Sequence, residues 1–146
     1  MIENCTIRKA RMSDAIALTK CIDDAYAQYA DHIPDLPPVS DGCAEEILKN
    51  HVWVAVEENN IIGGLFLVPE DGYLKLATVA VRPDHSGKGL GRKLIALSER
   101  EAKVKGYSEM RLNTHAAMTK NIQFYIQLGW REFGRNGNAV QMKKVL

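Results

Sequence analysis

Along the chain, short runs of clustered or alternating apolar residues give way to stretches in which they recur every three or four positions. Cys5-Thr6-Ile7 predicts a short strand. From Ser13, the expected N-cap, Ala15, Leu18, Ile22 and Ala25 fall at helical spacing and predict a first helix ending near Tyr29. Asp31 to Gly42 contains Pro34, Pro37 and Pro38, which forbid regular helical hydrogen bonding, so this segment is a long loop before a short helix from Cys43 to Asn50. Two apolar strands follow within Val52 to Val68, separated by the turn Glu58-Asn59-Asn60, and a third, Tyr73 to Val81, is bounded by Asp71-Gly72 and Pro83. From Lys88 the period becomes helical again, with Leu90, Leu94, Leu97 and Ala102 near one stripe and Gly106 at the expected C-terminal cap. Glu109 to His115 is a strand, Thr119 to Leu128 a helix closed by Gly129, and the tail two strands joined through Asn136-Gly137. The order β-α-α-β-β-β-α-β-α-β-β defines a mixed α/β domain, and three consecutive strands in its middle predict an antiparallel meander.

Composition narrows the class of protein. The 146 residues are 46% apolar and 25% charged, without internal repeat or linker, which fits one folded domain over residues 1–146 and excludes intrinsic disorder. Lys and Arg number 19 against 18 Asp and Glu, a net charge of +1 that gives no broad footprint for nucleic acid. Apolar runs are short, and MIENCTIRKA lacks the apolar stretch of a signal peptide, so no membrane partner is expected. Cys5, Cys21 and Cys43 form no C-x-x-C pair, and their odd number fits reduced thiols in a cytoplasmic protein.

The chemistry concentrates where the third strand of the meander ends. Pro83 stops that strand, and Gly87, Gly89 and Gly91 alternate into the start of a helix. Glycines placed there let the backbone turn tightly and approach an anion, with free N–H groups and the positive helix end aimed at it. The expected ligand is a phosphate, to which Lys88 and Arg92 can add charge. Arg92 follows Gly91, so the dinucleotide fingerprint G-x-G-x-x-G is absent; Gly89 follows Gly87-Lys88, so the Lys-Ser/Thr pair of a nucleotide P-loop is absent too.

With Gly89 and Gly91 at its last two positions, this segment resembles the Gln/Arg-x-x-Gly-x-Gly/Ala cofactor motif of the GNAT superfamily of N-acetyltransferases. Ser86 stands where that motif has Gln or Arg. The stretch from Thr114 to Arg135 is similar to the family's second signature, in which Asn precedes an aromatic-Tyr pair and a Gly-aromatic pair opens the next strand. The resemblance covers nearly the whole chain. It implies a mostly antiparallel mixed sheet with two splayed parallel central strands, here Tyr73 to Val81 and Glu109 to His115, flanked by helices. It implies acetyl-coenzyme A as co-substrate, no metal, and an amine acceptor that is a small molecule or a peptide; a homodimer is frequent in such folds. In that scheme backbone groups of Val79, Ala80 and Val81 pair with the pantetheine arm. Ser86, Gly87, Lys88, Gly89, Leu90, Gly91 and Arg92 hold the pyrophosphate, and Asn121 bonds the pantetheine region.

Amine attack on a thioester builds charge on the carbonyl oxygen and then on the departing sulfur, so the site needs donors for both. A free thiol titrates near about 8.5 and a phenol near about 10, so a tyrosine stays protonated at neutral pH and can give a proton or hydrogen bond to the thiolate. Tyr125 matches the family's general acid. Asn121, four residues earlier, shares its helical face. Phe124, Leu128 and Trp130 are expected core residues. Many family members carry a Glu near the position of Ala77, but this strand has no carboxylate. His115 is a candidate base just beyond the second splayed strand. Asp24, Tyr26, His32 and Asp35 are expected to face the acceptor, walled by Asp31 to Gly42 and Asn136 to Asn138. The competing functions are a non-catalytic acyl-CoA-binding module and a nucleotide-binding domain.

Overall fold

The computed structural model describes residues 5–30, 33 and 42–146. His32, Asp35 and, apart from Ile33 and Gly42, the expected loop of residues 31–42 lie outside the described residues.

The elements are β1 (Cys5–Lys9), α1 (Ala15–Ala30), α2 (Cys43–Lys49), β2 (His51–Glu57), β3 (Asn60–Pro69), β4 (Leu74–Val81), α3 (Leu90–Val104), β5 (Glu109–His115), α4 (Thr119–Gln127), β6 (Arg131–Asn136) and β7 (Ala139–Val145). All seven strands form one sheet in the order β1-β2-β3-β4-β5-β7-β6. Neighbours are antiparallel except β4 and β5, which run parallel. Short turns join the antiparallel pairs β2–β3, β3–β4 and β6–β7, β1 pairs with β2 across α1 and α2, β5 pairs with β7 across α4 and β6, and the parallel pair has α3 as its crossover.

Each face of the sheet carries its own core because neighbouring strand residues point to opposite sides. Val52, Val54 and Phe66 pack with Leu18, Cys21 and Ile22 of α1 and Cys43 of α2. On the other face, Leu65, Leu67, Leu74, Leu76, Met110 and Leu112 meet Leu90, Leu94 and Ile95 of α3 and Tyr125 of α4. In β4 this alternation slips. Phe66 pairs with Thr78 but Leu67 pairs with Leu76, so Ala77 is the extra residue of a bulge. Before the bulge, Leu74 and Leu76 face α3; after it, Val79 and Val81 do, and Ala80 joins the α1 core.

Ser13 does not cap α1; it lies inside the turn that precedes the helix. Met12–Asp14 is a single 3-10 turn leading into the helix, and the Arg11 N–H donates to Asp14 Oδ2 at 2.7 Å. Arg8 donates to both carboxylate oxygens, at 2.8 and 3.0 Å. The Arg8 hydrogen bond is the main reason the Asp14 carboxyl titrates below its ordinary value, so its stabilisation is present above pH 3.8 and is lost as pH falls through the lowered native value. Asp14→Asn is therefore expected to cost about 1–2 kcal/mol at neutral pH. Urea titrations near pH 7 and at acid pH check this: the gap to wild type should close in acid.

Among the described residues, no helix is long and apolar enough to cross a membrane.

Candidate active site

Parallel strands β4 and β5 pair only at Leu74 with Met110 and Lys75 with Arg111, then separate. Past that point the edge of β4 facing β5 has no neighbouring strand, so its peptide groups border an opening. Ala77 lies at its start, where the bulge re-aims the chain. Two cavities occupy this region. One, of about 410 Å³, runs from Val79, Ala80 and Val81 to the start of α3; the other, of about 300 Å³, lies between β4 and β5. Tyr26, Val79, Asn121 and Tyr125 line both, so the two are halves of one cleft.

The glycine loop forms the far end of the larger cavity. Arg82 precedes a 3-10 turn, Pro83–His85, and Ser86 Oγ donates to the Pro83 carbonyl at 2.9 Å. Gly89 caps α3 with φ +85°, a left-handed conformation that a side chain adopts only with strain. Lys93 N–H donates to the Gly89 carbonyl at 3.1 Å, which leaves the amides of Leu90, Gly91 and Arg92 ahead of the first helical hydrogen bond. Three N–H groups at the positive end of a fifteen-residue helix suit a diphosphate. Ser86, Gly87, Gly89, Leu90, Gly91 and Arg92 all line this cavity, whereas Lys88, although in the same loop, does not. Arg92 lies over the ring of Phe124 at 5.7 Å. Phe124 is thus not wholly a core residue: it packs on the core and also lines the cleft.

Tyr125 sits where the halves meet, at 6% exposure. Its position follows from how α4 ends. Gly129 takes φ +95°, which lets the Trp130 N–H turn back to the Tyr125 carbonyl at 2.9 Å. Trp130 then packs edge-on against the Tyr125 ring at 5.7 Å and fixes its plane. Burial, with Tyr26 nearby, raises the Tyr125 phenol above its ordinary value and keeps it protonated. Tyr26, facing it from α1, is pushed up to about 12, chiefly by burial, and donates to the Val79 carbonyl at 3.4 Å. One of the β4 carbonyls expected to meet pantetheine thus already has a partner.

His115 lines the smaller cavity, but its Nδ1 accepts from the Ala117 N–H at 3.0 Å. In a neutral ring the proton is then on Nε2, which leaves that nitrogen a donor and not a base. Asp24 faces away from the cleft, in a shallow depression with Lys20 and Arg82. Only Tyr26, of the acceptor-facing group described, reaches the cleft. Among the described residues neither cavity is lined by a carboxylate, and no group of three or more His, Cys, Asp or Glu could hold a metal. His85 and Met118, which the sequence did not single out, also line the cleft. Met118 reads as an isolated apolar residue, and the sequence offers no signal for it; His85 stands two residues before Gly87, and that placement is its signal.

A family model for the GNAT acetyltransferase domain matches residues 49–132. The chain belongs to this family, whose members are acyltransferases that draw acetyl from acetyl-CoA and pass it to an amine. The N-acetyltransferase YjgM of Escherichia coli K12 is 25% identical over 134 residues, covering 85% of this chain and 80% of that one. Human N-acetyltransferase 8B is 28% identical over 90 residues; the match takes in 58% of this chain but only 40% of the human protein. In architecture, the chain superposes on the PaiA N-acetyltransferase of Thermoplasma acidophilum, solved with coenzyme A, at a TM-score of 0.84, with 21% identity over 97% of this chain and 99% of the other.

Proposed function

We propose that residues 1–146 form a single N-acetyltransferase domain that moves an acetyl group from acetyl-CoA to a primary amine of a small molecule or peptide. One observation carries this reading: a continuous cleft runs from the open amides of α3 to the buried hydroxyl of Tyr125. Helix amides and Arg92 take the diphosphate, while Val79, Ala80, Val81 and Asn121 border the pantetheine arm. The thioester lies between the diverging strands, and the amine enters from the β4–β5 cavity.

The amine nitrogen attacks the thioester carbon within one ternary complex. The C–N bond forms, the C–S bond breaks, the nitrogen sheds a proton, and the sulfur gains one as it leaves. Tyr125 donates to that sulfur, and the proton shed by nitrogen restores the phenol directly or through water. With no carboxylate on the described walls, the amine must arrive neutral or lose its proton to water. The rate is therefore expected to rise with pH toward the acceptor's own pKa, near about 10 for a lysine-like amine. A pH series of initial rates checks this slope.

Thiol release from acetyl-CoA across polyamines, aminoglycosides, amino acids and peptides tests the function. Release with any amine supports the enzyme. Tight acetyl-CoA binding with no release under any acceptor favours a non-catalytic acyl-CoA-binding module.

A further inference from the structure

Beside the glycine loop, one imidazole faces two carboxylates. His85 Nδ1 lies 3.0 Å from Asp84 Oδ1, and Nε2 lies 3.1 Å from Glu57 Oε1 at the end of β2. The His85 side chain is 14% exposed and borders the larger cavity. A carboxylate only accepts, and a neutral imidazole has one N–H, so a neutral ring would turn a lone pair toward one of the anions. Only the imidazolium satisfies both contacts. Its hydrogen bond is also the largest reason the Asp84 carboxyl titrates below its usual range.

The charges around the ring come from several elements. Arg82, at the end of β4, pairs with Asp84 Oδ2 at 3.0 Å. Cys5 of β1 stands opposite Glu57 in the sheet, and Lys93 of α3 acts on the same thiol. With His85 protonated, the formal charges of Arg82, Asp84, His85 and Glu57 cancel. With it neutral, these four groups lose one positive charge beside the cavity that the α3 amides open into and that Arg92 lines.

We infer that His85 is a positioning residue of the coenzyme site: its imidazolium ties the turn before the glycine loop to the end of β2 and adds positive charge to the rim that a diphosphate meets. This rests on the reading of the larger cavity as the acetyl-CoA site. Loss of the proton sets the Nε2 or Nδ1 lone pair against a carboxylate, loosens the turn and removes one positive charge from the diphosphate's surroundings. Coenzyme affinity then falls as pH rises.

Calorimetric titration of the full chain with acetyl-CoA, from about pH 5.5 to about pH 8.5, tests this across the range in which histidine titrates. Ionisation of the coenzyme's own phosphate is common to all proteins compared and cancels in their difference. Across that range wild type is expected to lose about three- to tenfold more affinity than His85→Gln, whose side chain does not titrate. Glu57→Gln should also flatten the profile, because the new amide can donate to a neutral ring. In turnover the pH effect should appear in the KM for acetyl-CoA and not in kcat, since His85 does not reach the thioester end. Nitrogen NMR of the wild-type ring at the acid end of that range should show both nitrogens protonated. Equal slopes in wild type and His85→Gln, or one bare ring nitrogen at that pH, overturn the inference. If acetyl-CoA binds none of these proteins at any pH, the coenzyme-site reading fails instead, and the ring spectrum still decides whether the clasp exists.

Discussion

Tyr125→Phe is expected to lower kcat by about two to three orders of magnitude, the range in which a positioned general acid contributes. KM for acetyl-CoA should stay within about threefold, because the coenzyme's charge is held at the other end of the cleft. The fold should survive: Phe keeps the ring that packs against Phe124 and Trp130, each with centroids 5.7 Å away. Only the hydroxyl is lost. That hydroxyl matters because it stands where the two halves of the cleft meet, whereas the nearby Tyr26 hydroxyl is already engaged by the Val79 carbonyl. Burial raises the phenol's pKa, so it does not dissociate at any pH where the enzyme is assayed. It also means that full transfer to a thiolate, whose own pKa is near about 8.5, is uphill by itself. Transfer must therefore be coupled to the proton leaving the amine, and before that point the phenol acts as a hydrogen-bond donor. Consequently the wild-type rate should show no alkaline fall from Tyr125 below about pH 10. Steady-state kinetics on both proteins, with thermal melts as the folding control, decide the matter. A Phe variant that retains a third or more of wild-type kcat would remove Tyr125 from the reaction.

Local chemistry made most of the fold legible. Leu90, Leu94 and Ala102 at helical spacing, with Gly106 after them, mark α3, and all three are buried as that stripe requires. Gly129 marks the end of α4, and its left-handed φ fixes Tyr125 through the Trp130 amide. The glycine loop was equally readable, because the need for positive φ at Gly87 and Gly89 is written in the residue type. What stayed hidden depends on pairing between distant residues. The bulge at Ala77 arises from the register between β3 and β4, and nothing within β4 signals it. Ser13 looked like a cap, but it lies inside a 3-10 turn that the Asp14 carboxylate ties to the Arg11 amide and, six residues away, to Arg8. His115 looked like a base until the Ala117 amide took its Nδ1. Asp24 shares a helix with Tyr26 yet faces Lys20 and Arg82, because two positions along a helix turn a side chain by about 200°.

The diphosphate assignment meets its strongest test at Gly91, where folding and binding are expected to respond in opposite directions. Gly91 has ordinary helical φ, and a Cβ there would meet only Phe124, at 3.7 and 4.0 Å, which is normal contact. Gly91→Glu should fold well. Replacing a helical glycine gains up to about 1 kcal/mol, and a carboxylate in the first turn of a helix adds about 0.3–1 kcal/mol through the dipole. The same carboxylate would compete for the amides of Leu90, Gly91 and Arg92 and place a negative charge where the diphosphate must lie. At an effective dielectric near about 20 and a separation of about 5 Å, that repulsion is worth a loss of at least about 100-fold in affinity. Gly89→Ala supplies the contrast. With φ at +85° and nothing within 4 Å of the added methyl, it should destabilise the fold by about 1–2 kcal/mol through backbone strain while leaving the cavity open. Denaturant titration and acetyl-CoA calorimetry on the two variants separate a glycine required by the backbone from one required by the ligand. A Glu variant that binds acetyl-CoA within threefold of wild type would move the diphosphate away from α3, and with it the line that leads the thioester to Tyr125.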